Sequence, residues 1–146
     1  RAYSWARTMR ILVCGDRNWD DEALINKVLF EYWLLWLESE TPEDDFVIIH
    51  GAARGADSIA GKIARRQSVK EEAYPAEWDK YHKAAGPIRN QQMLTEGRPT
   101  LVLAFHDNIE KSKGTRDMVD KAKRAGIETR VYSHSSICKV YPAKGE

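Results

Sequence analysis

An excess of charge of one sign is the first thing this chain lacks. Its 23 lysines and arginines face 22 aspartates and glutamates, for a formal net charge of +1. A dedicated nucleic-acid binder carries a strong basic excess or patch, so nucleic acid is an unexpected partner, although one local basic pocket stays open. Cysteine is scarce too. Cys14 and Cys138 stand far apart, and neither belongs to a cluster with metal-ligand spacing, so no structural metal and no cofactor are expected. Cys14 closes an apolar, strand-like run and should be buried; reduced thiols fit a cytoplasmic protein. No run approaches about 18 apolar residues, and the start shows no basic-then-apolar signal pattern, so no membrane partner is expected. Repeats and low-complexity segments are absent. The 146 residues suit one domain with a single sizeable core.

What is present is organised around one stretch. Phe46-Val47-Ile48-Ile49 is a short apolar, β-branched run, long enough for a buried strand and too short for a helix. Ser58 to Arg66 sets Ile59, Ala60, Ile63 and Ala64 on one helical face and Lys62, Arg65 and Arg66 on another. Between them, His50-Gly51-Ala52-Ala53-Arg54-Gly55-Ala56-Asp57 reads as a turn whose glycines permit positive φ and close backbone approach. Asp57 falls where a helix takes its N-cap. Strand, glycine turn and helix start can cradle a phosphate with backbone N–H groups, and Arg54 would hang over that cradle as a mobile cation. The alternative is an ordinary β–α turn that binds nothing. The spacing is neither a Walker A loop nor G-x-G-x-x-G.

Met9 directly precedes the first strand and is the expected natural start, with residues 1–8 an N-terminal extension. Arg10 to Cys14 predicts a buried strand, ended by Gly15 and the polar turn Asp16-Arg17-Asn18-Trp19-Asp20. Asp20 or Asp21 can cap the next helix, which runs to about Leu37. That helix has two apolar stripes. Leu24, Ile25, Val28, Leu29, Tyr32 and Trp36 suit packing on a sheet, while Phe30, Trp33, Leu34 and Leu37 form a second face. The second face predicts a homodimer or higher oligomer with aromatic anchors; the alternative is that the C-terminal tail covers it.

Glu71 to Tyr74 reads as a polar edge strand ended by Pro75. Gly86-Pro87 should break any helix and start a new one with Pro87 at its first position, placing Arg89 and Asn90 in an anion-favouring first turn. A salt bridge with a capping amide is the other reading of that pair. Thr100 to Phe105 is the clearest buried strand. A loop over 106–115 follows, then a helix with Met118, Val119 and Ala122 inward. Thr115 is placed to cap this helix, and Lys113-Gly114 precede it like a second phosphate cradle. Glu128 to Tyr132 gives a last strand. The tail, 133–146, holds a weak strand candidate from Ile137 to Tyr141. His50 and His106, both at strand ends, read as satisfied structural residues.

Alternation of strands and helices predicts an α/β fold: a Rossmann-like, doubly wound, mostly parallel five-stranded sheet over 9–132. An order of 3-2-1-4-5 puts the switch point between the first and fourth strands. The loops at 15–20 and 106–115 would flank that crevice, with 50–57 beside it.

Several pieces, taken in order, carry a resemblance. They are Gly15-Asp16-Arg17 with Trp19, the 50–57 turn, Trp78, Ala85-Gly86-Pro87-Ile88-Arg89-Asn90 and Gly114-Thr115-Arg116-Asp117-Met118. Together they resemble the YspA-type (DUF2493) branch of the SLOG superfamily, Rossmann-like proteins related to DprA/Smf and the LOG phosphoribohydrolases. The similarity covers roughly Met9 to Tyr132, and small members of this type often occur in phage and bacterial genomes. It implies a nucleotide-derived ligand, such as a nucleoside monophosphate or an ADP-ribose-like molecule, and frequent dimers. Carried over, Gly15 and Arg17 line the first loop; Gly51, Arg54, Gly55 and Asp57 the second; Arg89 and Asn90 the helix start; Gly114 and Thr115 the phosphate turn. Where LOG enzymes carry Pro-Gly-Gly-x-Gly-Thr-x-x-Glu, this chain has Ser112-Lys113 for the double glycine and Met118 for the glutamate. A thioether can neither accept a proton nor stabilise an oxocarbenium ion. Asp16, Asp57 or Asp117 could substitute, and the spacing selects none of them.

The expectation is therefore a sensor or sequestering protein for a nucleotide-derived small molecule. Arg17, Arg54, Arg89 and Lys113 would meet phosphate, and Trp19 or Trp78 would stack on the base. The alternatives are a phosphoribohydrolase (N-glycosidase) acting on nucleoside monophosphates, or a DprA-like single-stranded DNA binder.

Overall fold

A computed structural model describes residues 8–39, 45–135 and 137–145. The strands are β1 (Met9–Gly15), β2 (Phe46–His50), β3 (Lys70–Ala73), β4 (Leu101–Phe105), β5 (Thr129–Tyr132) and β6 (Cys138–Tyr141). The helices are α1 (Glu22–Leu37), α2 (Ala56–Arg66), the single turn α3 (Trp78–Tyr81), α4 (Ala85–Gly97) and α5 (Gly114–Arg124). They build one sheet in the order β3-β2-β1-β4-β5-β6.

The first five strands are parallel, as the alternating pattern demands, with Ile11 level with Ile48 on one side and Leu101 on the other. Central strands buried on both faces need apolar side chains at every position. Alternation then divides them between two cores. Ile11, Val13, Ile48, Leu103 and Phe105 face α1 and α2, where Ile25, Val28, Leu29, Ile59 and Ile63 meet them. Leu12, Cys14, Val47, Ile49, Val102 and Ala104 face Met93 of α4 and Met118, Val119 and Ala122 of α5. Cys14 is buried as expected, and burial pushes its thiol far above the ordinary value.

The sheet departs from the expected five strands. β6, inside the presumed tail, lies antiparallel on β5, with Thr129 opposite Tyr141 and Tyr132 opposite Cys138. β5 would otherwise present a row of unpaired backbone groups. A turn closed by Ser133 N–H on the Ile137 carbonyl lets the chain double back and satisfy that row.

Asp21 caps α1, accepting the Leu24 N–H at 3.1 Å. On this helix Trp33 and Trp36 pack against the core. Phe30, Leu34 and Leu37 stay exposed, at 52%, 41% and 42%. Among the described residues no helix is long and apolar enough to cross a membrane.

Three expected helix starts are corrected. α2 begins at Ala56 with Gly55 as its N-cap, so Asp57 sits inside the first turn and is not the cap. α4 begins at Ala85, which makes Pro87 its third residue and not its first. The first four helical N–H groups have no intrahelical acceptor, so a proline there costs no bond and does not break the helix. Arg89 and Asn90 therefore lie past the first turn. Thr115 is the second residue of α5, and it is Ser112 Oγ that accepts the Thr115 N–H at 3.0 Å.

Candidate functional site

The carboxyl ends of β1 and β4 define the switch point, and three loops gather there. The first leaves β1 at Gly15, where Asp16 N–H donates to the Phe105 carbonyl at 2.9 Å. Asp16 then closes a turn on itself, its Oδ1 accepting the Asn18 N–H at 2.9 Å. Its other oxygen, Oδ2, lies 4.0 Å from His106 Nε2 of the β4 loop. Arg17 is exposed beside it.

The second loop is 50–57. Gly55 has φ of +77°, and a Cβ there would sit 2.1 Å from the Asp16 carbonyl oxygen. Only glycine lets the first two loops pass this closely. The Asp16 carbonyl also accepts the Ala56 N–H at 3.3 Å, so one amide of the α2 cradle is spent on the protein itself. Asp57 turns back into its own loop. Its Oδ2 accepts Gly51 N–H at 2.9 Å and Ala53 N–H at 3.4 Å. His50 Nδ1 accepts the Ala52 N–H at 3.0 Å, which leaves the ring proton on Nε2, donated to Glu71 at 2.5 Å. Burial alone would raise Glu71, but His50 and Arg65 outweigh it and hold the carboxyl below its ordinary value. His50 is thus a satisfied core histidine, as the sequence suggests. Arg54 is exposed at the tip.

Arg89 and Asn90 brace these loops. Arg89 Nη1 donates to the Gly51 carbonyl and, at 3.4 Å, to that of Tyr74; its Nε donates to Asn90 Oδ1 at 3.0 Å. A Cβ on Gly51 would collide with this guanidinium at 2.4 Å. Asn90 Nδ2 continues to Asp117 Oδ2 at 3.0 Å and the Gly114 carbonyl at 3.3 Å, and Asp117 is paired with Lys121 at 2.6 Å. Burial pushes Asp57 above its ordinary value against the pull of Arg89, and pulls Arg89 below its own against the pull of Asp57. The result is a continuous polar chain that fixes the α2 loop relative to the start of α5.

The third loop carries Lys113, Gly114 and Thr115. Lys113 is exposed and Thr115 buried. A Cβ at Gly114 would meet nothing within 4 Å, so packing does not require this glycine.

Of the expected stacking residues, Trp19 is only 3% exposed. It lies 5.7 Å from Phe105 and is stacked on His134 at 3.9 Å between centroids. Trp78, on α3, is 51% exposed and lies over Gly86. Of the three candidate acids, Asp57 and Asp117 are engaged in internal bonds, and only Asp16 keeps an oxygen turned toward another loop. Met118, at the position of the LOG glutamate, is buried in the core. Sequence reasoning missed Ser112, Asp107 and His134. The last two each stand two residues past the paired Phe105 and Tyr132 at the carboxyl ends of β4 and β5, and no local spacing signals that meeting.

A sheet whose parallel strands run in the order 3-2-1-4-5, with an antiparallel sixth at the edge and loops converging at its switch point, defines a Rossmann-like α/β domain. Residues 9–81 match the model of YAcAr, the YspA, cpYpsA-related SLOG family. Gene 61 protein of Mycobacterium phage D29 is 35% identical over 123 residues, covering 81% of this chain and 91% of that protein. The chain belongs to the YspA-related SLOG family. Among solved structures it is similar in fold to DNA processing protein A from Streptococcus pneumoniae, with a TM-score of 0.61 and 18% identity. That likeness covers 88% of this chain and half of the other.

Proposed function

We propose that the protein binds a nucleotide or nucleotide-derived ligand, a nucleoside monophosphate or an ADP-ribose-like molecule, across the β1/β4 switch point as a sensor or sequestering protein. The observation that carries this reading is Gly114. It opens α5 with empty space where a side chain would stand, its flanking Lys113 is exposed, and a helix start of this kind accepts phosphate. Arg17 and Arg54 supply further exposed cations on the neighbouring loops. Arg89 serves this site by bracing, with Nη1 on the Gly51 and Tyr74 carbonyls and Nε on the Asn90 amide oxygen. Met118 in the core supports holding over cleavage.

A thermal-shift panel of nucleoside monophosphates, ADP-ribose and cyclic nucleotides tests this. A true ligand at 100 times its Kd adds about 2.7 kcal/mol, and Arg54→Ala should reduce the shift. No stabilisation by any of them rejects the reading.

One observation favours a hydrolase as the second reading. Asp16 and His106 face each other at 4.0 Å on the switch-point rim, an acid and a base outside the bracing network. Free base released from a nucleoside monophosphate, and lost in Asp16→Asn, would establish it. The DprA-like fold keeps single-stranded DNA in view, and an absence of salt-dependent oligonucleotide binding excludes it.

The exposed Phe30, Leu34 and Leu37 support self-association through α1. Sedimentation of the protein and of Leu34→Glu tests this: a dimer that the substitution converts to monomer is the expected result.

A further inference from the structure

The core ends at this rim in a column of rings. Tyr132 on β5 stacks on Phe105 of β4 at 5.2 Å, Phe105 meets Trp19 at 5.7 Å, and Trp19 stacks on His134 at 3.9 Å and 22°. The first three rings belong to the sheet and the β1–α1 loop. The fourth comes from the turn between β5 and β6. His134 is held by the β4 loop: Asp107 Oδ1 accepts its backbone N–H, and Oδ2 lies 2.7 Å from Nδ1. On the other side of the ring, Asp20 Oδ1 lies 3.6 Å from Nε2. The ring is thus a flat heteroaromatic on an indole face, with one carboxylate bonded to its edge and a second close by. Its side chain is still 43% exposed, and those of Asp107 and Asp20 are 56% and 91% exposed.

These are the contacts that recognise a nucleobase, which stacks on an aromatic face and offers edge N–H groups to acceptors. We propose that Trp19, Asp107 and Asp20 form the base subsite of the crevice, and that His134 fills it in the free protein as a stand-in that the ligand displaces. The slot suits bases with an exocyclic amine, adenine, guanine or cytosine. Uracil and thymine flank their one imino donor with carbonyl oxygens, which repel a carboxylate. The position matches the reading on which this proposal rests. Asp107 stands on the loop that ends in Lys113 and Gly114, and Trp19 stands two residues after Arg17, so base and phosphate would be read by opposite ends of the same two loops.

The test compares wild-type protein with His134→Ala and with His134→Ala/Asp107→Ala, both altering exposed side chains. The probes are AMP, CMP, UMP, free adenine and ribose 5-phosphate, read by calorimetry and by tryptophan emission. The expected result is that His134→Ala binds AMP and CMP about tenfold or more tighter than wild type, the worth of one stacked base. Ribose 5-phosphate and UMP should be little changed, emission should be quenched on binding, and the gain should vanish in the double variant. Equal binding of all nucleotides and of ribose 5-phosphate by wild type and His134→Ala overturns the base subsite and leaves the phosphate reading standing. Free adenine gained by His134→Ala, with no phosphate-bearing probe bound better than adenine, sustains the subsite and overturns the phosphate reading. No binding of any probe to any form overturns both.

Discussion

Asn90 on α4 donates through Nδ2 to Asp117 on α5 at 3.0 Å, and through that one amide the two glycine-led loops of the site share a common support. The same amide oxygen accepts from Arg89, whose guanidinium reaches Gly51. Asn90 is only 4% exposed, while its partners Arg89 and Asp117 are half-buried. Asn90→Ala should cost about 1–3 kcal/mol, the penalty for leaving a buried polar group unpaired. Urea denaturation measures it, and ligand affinity should fall along with stability although no proposed ligand contact is deleted.

Arg89 is the cation whose charge acts on buried Asp57 without a direct ion pair between them, so removing it leaves that carboxyl less compensated. Arg89→Met also deletes the donors to the Gly51 and Tyr74 carbonyls and to Asn90 Oδ1, and should cost about 1–3 kcal/mol, the penalty for polar groups left unpaired. Arg89→Met/Asp57→Asn should recover part of the loss, because the uncompensated buried charge is gone. A double-mutant cycle by denaturation checks this, and strict additivity would show that the two groups do not couple.

Gly114 separates binding from folding. It is the first residue of α5, with open space around its missing side chain. Gly114→Ala restricts the unfolded chain and should raise stability by about 0.4–1 kcal/mol. The added methyl would occupy the space proposed for the phosphate, so affinity should drop. A variant that is more stable and binds less well is the expected signature; unchanged affinity places the phosphate elsewhere.

The His134–Asp107 contact carries a pH signature. The Asp107 hydrogen bond raises His134 above its ordinary 6.5, so its contribution is complete below about 6.5 and fades as pH rises through the raised value. The His134 backbone and ring hold Asp107 below its ordinary 3.8, so its contribution is present above about 3.8 and fades as pH falls through the lowered value. The pair therefore supports the fold most between those two ordinary values. The difference in Tm between wild type and His134→Ala should be greatest between about pH 4 and 6.5 and shrink above. Both groups face solvent, so the difference should be small and should diminish in 1 M salt.

The sequence by itself determined the α/β class, the strand order through β5 and the burial of Cys14, because apolar runs and helical periodicity are local and their alternation leaves few topologies. It also marked Gly55 and Gly114, since a tight loop crossing and an open helix start both show as glycine. What only the tertiary structure decided was where the polar groups point. Asp57 and Thr115 read as caps and are not, and Arg89 and Asn90, expected at an anion site, bond carbonyls, each other and the Asp117 carboxylate. Asp57 and Thr115 bond within their own loops, whereas Arg89 reaches Gly51 and Asn90 reaches Asp117 on other elements, and local spacing carries no record of those two contacts. The β6 strand, the burial of Trp19 and the seat of His134 are likewise tertiary: the pairing of β5 beside β4 carries His134 onto Trp19, which stands more than a hundred residues earlier in the chain.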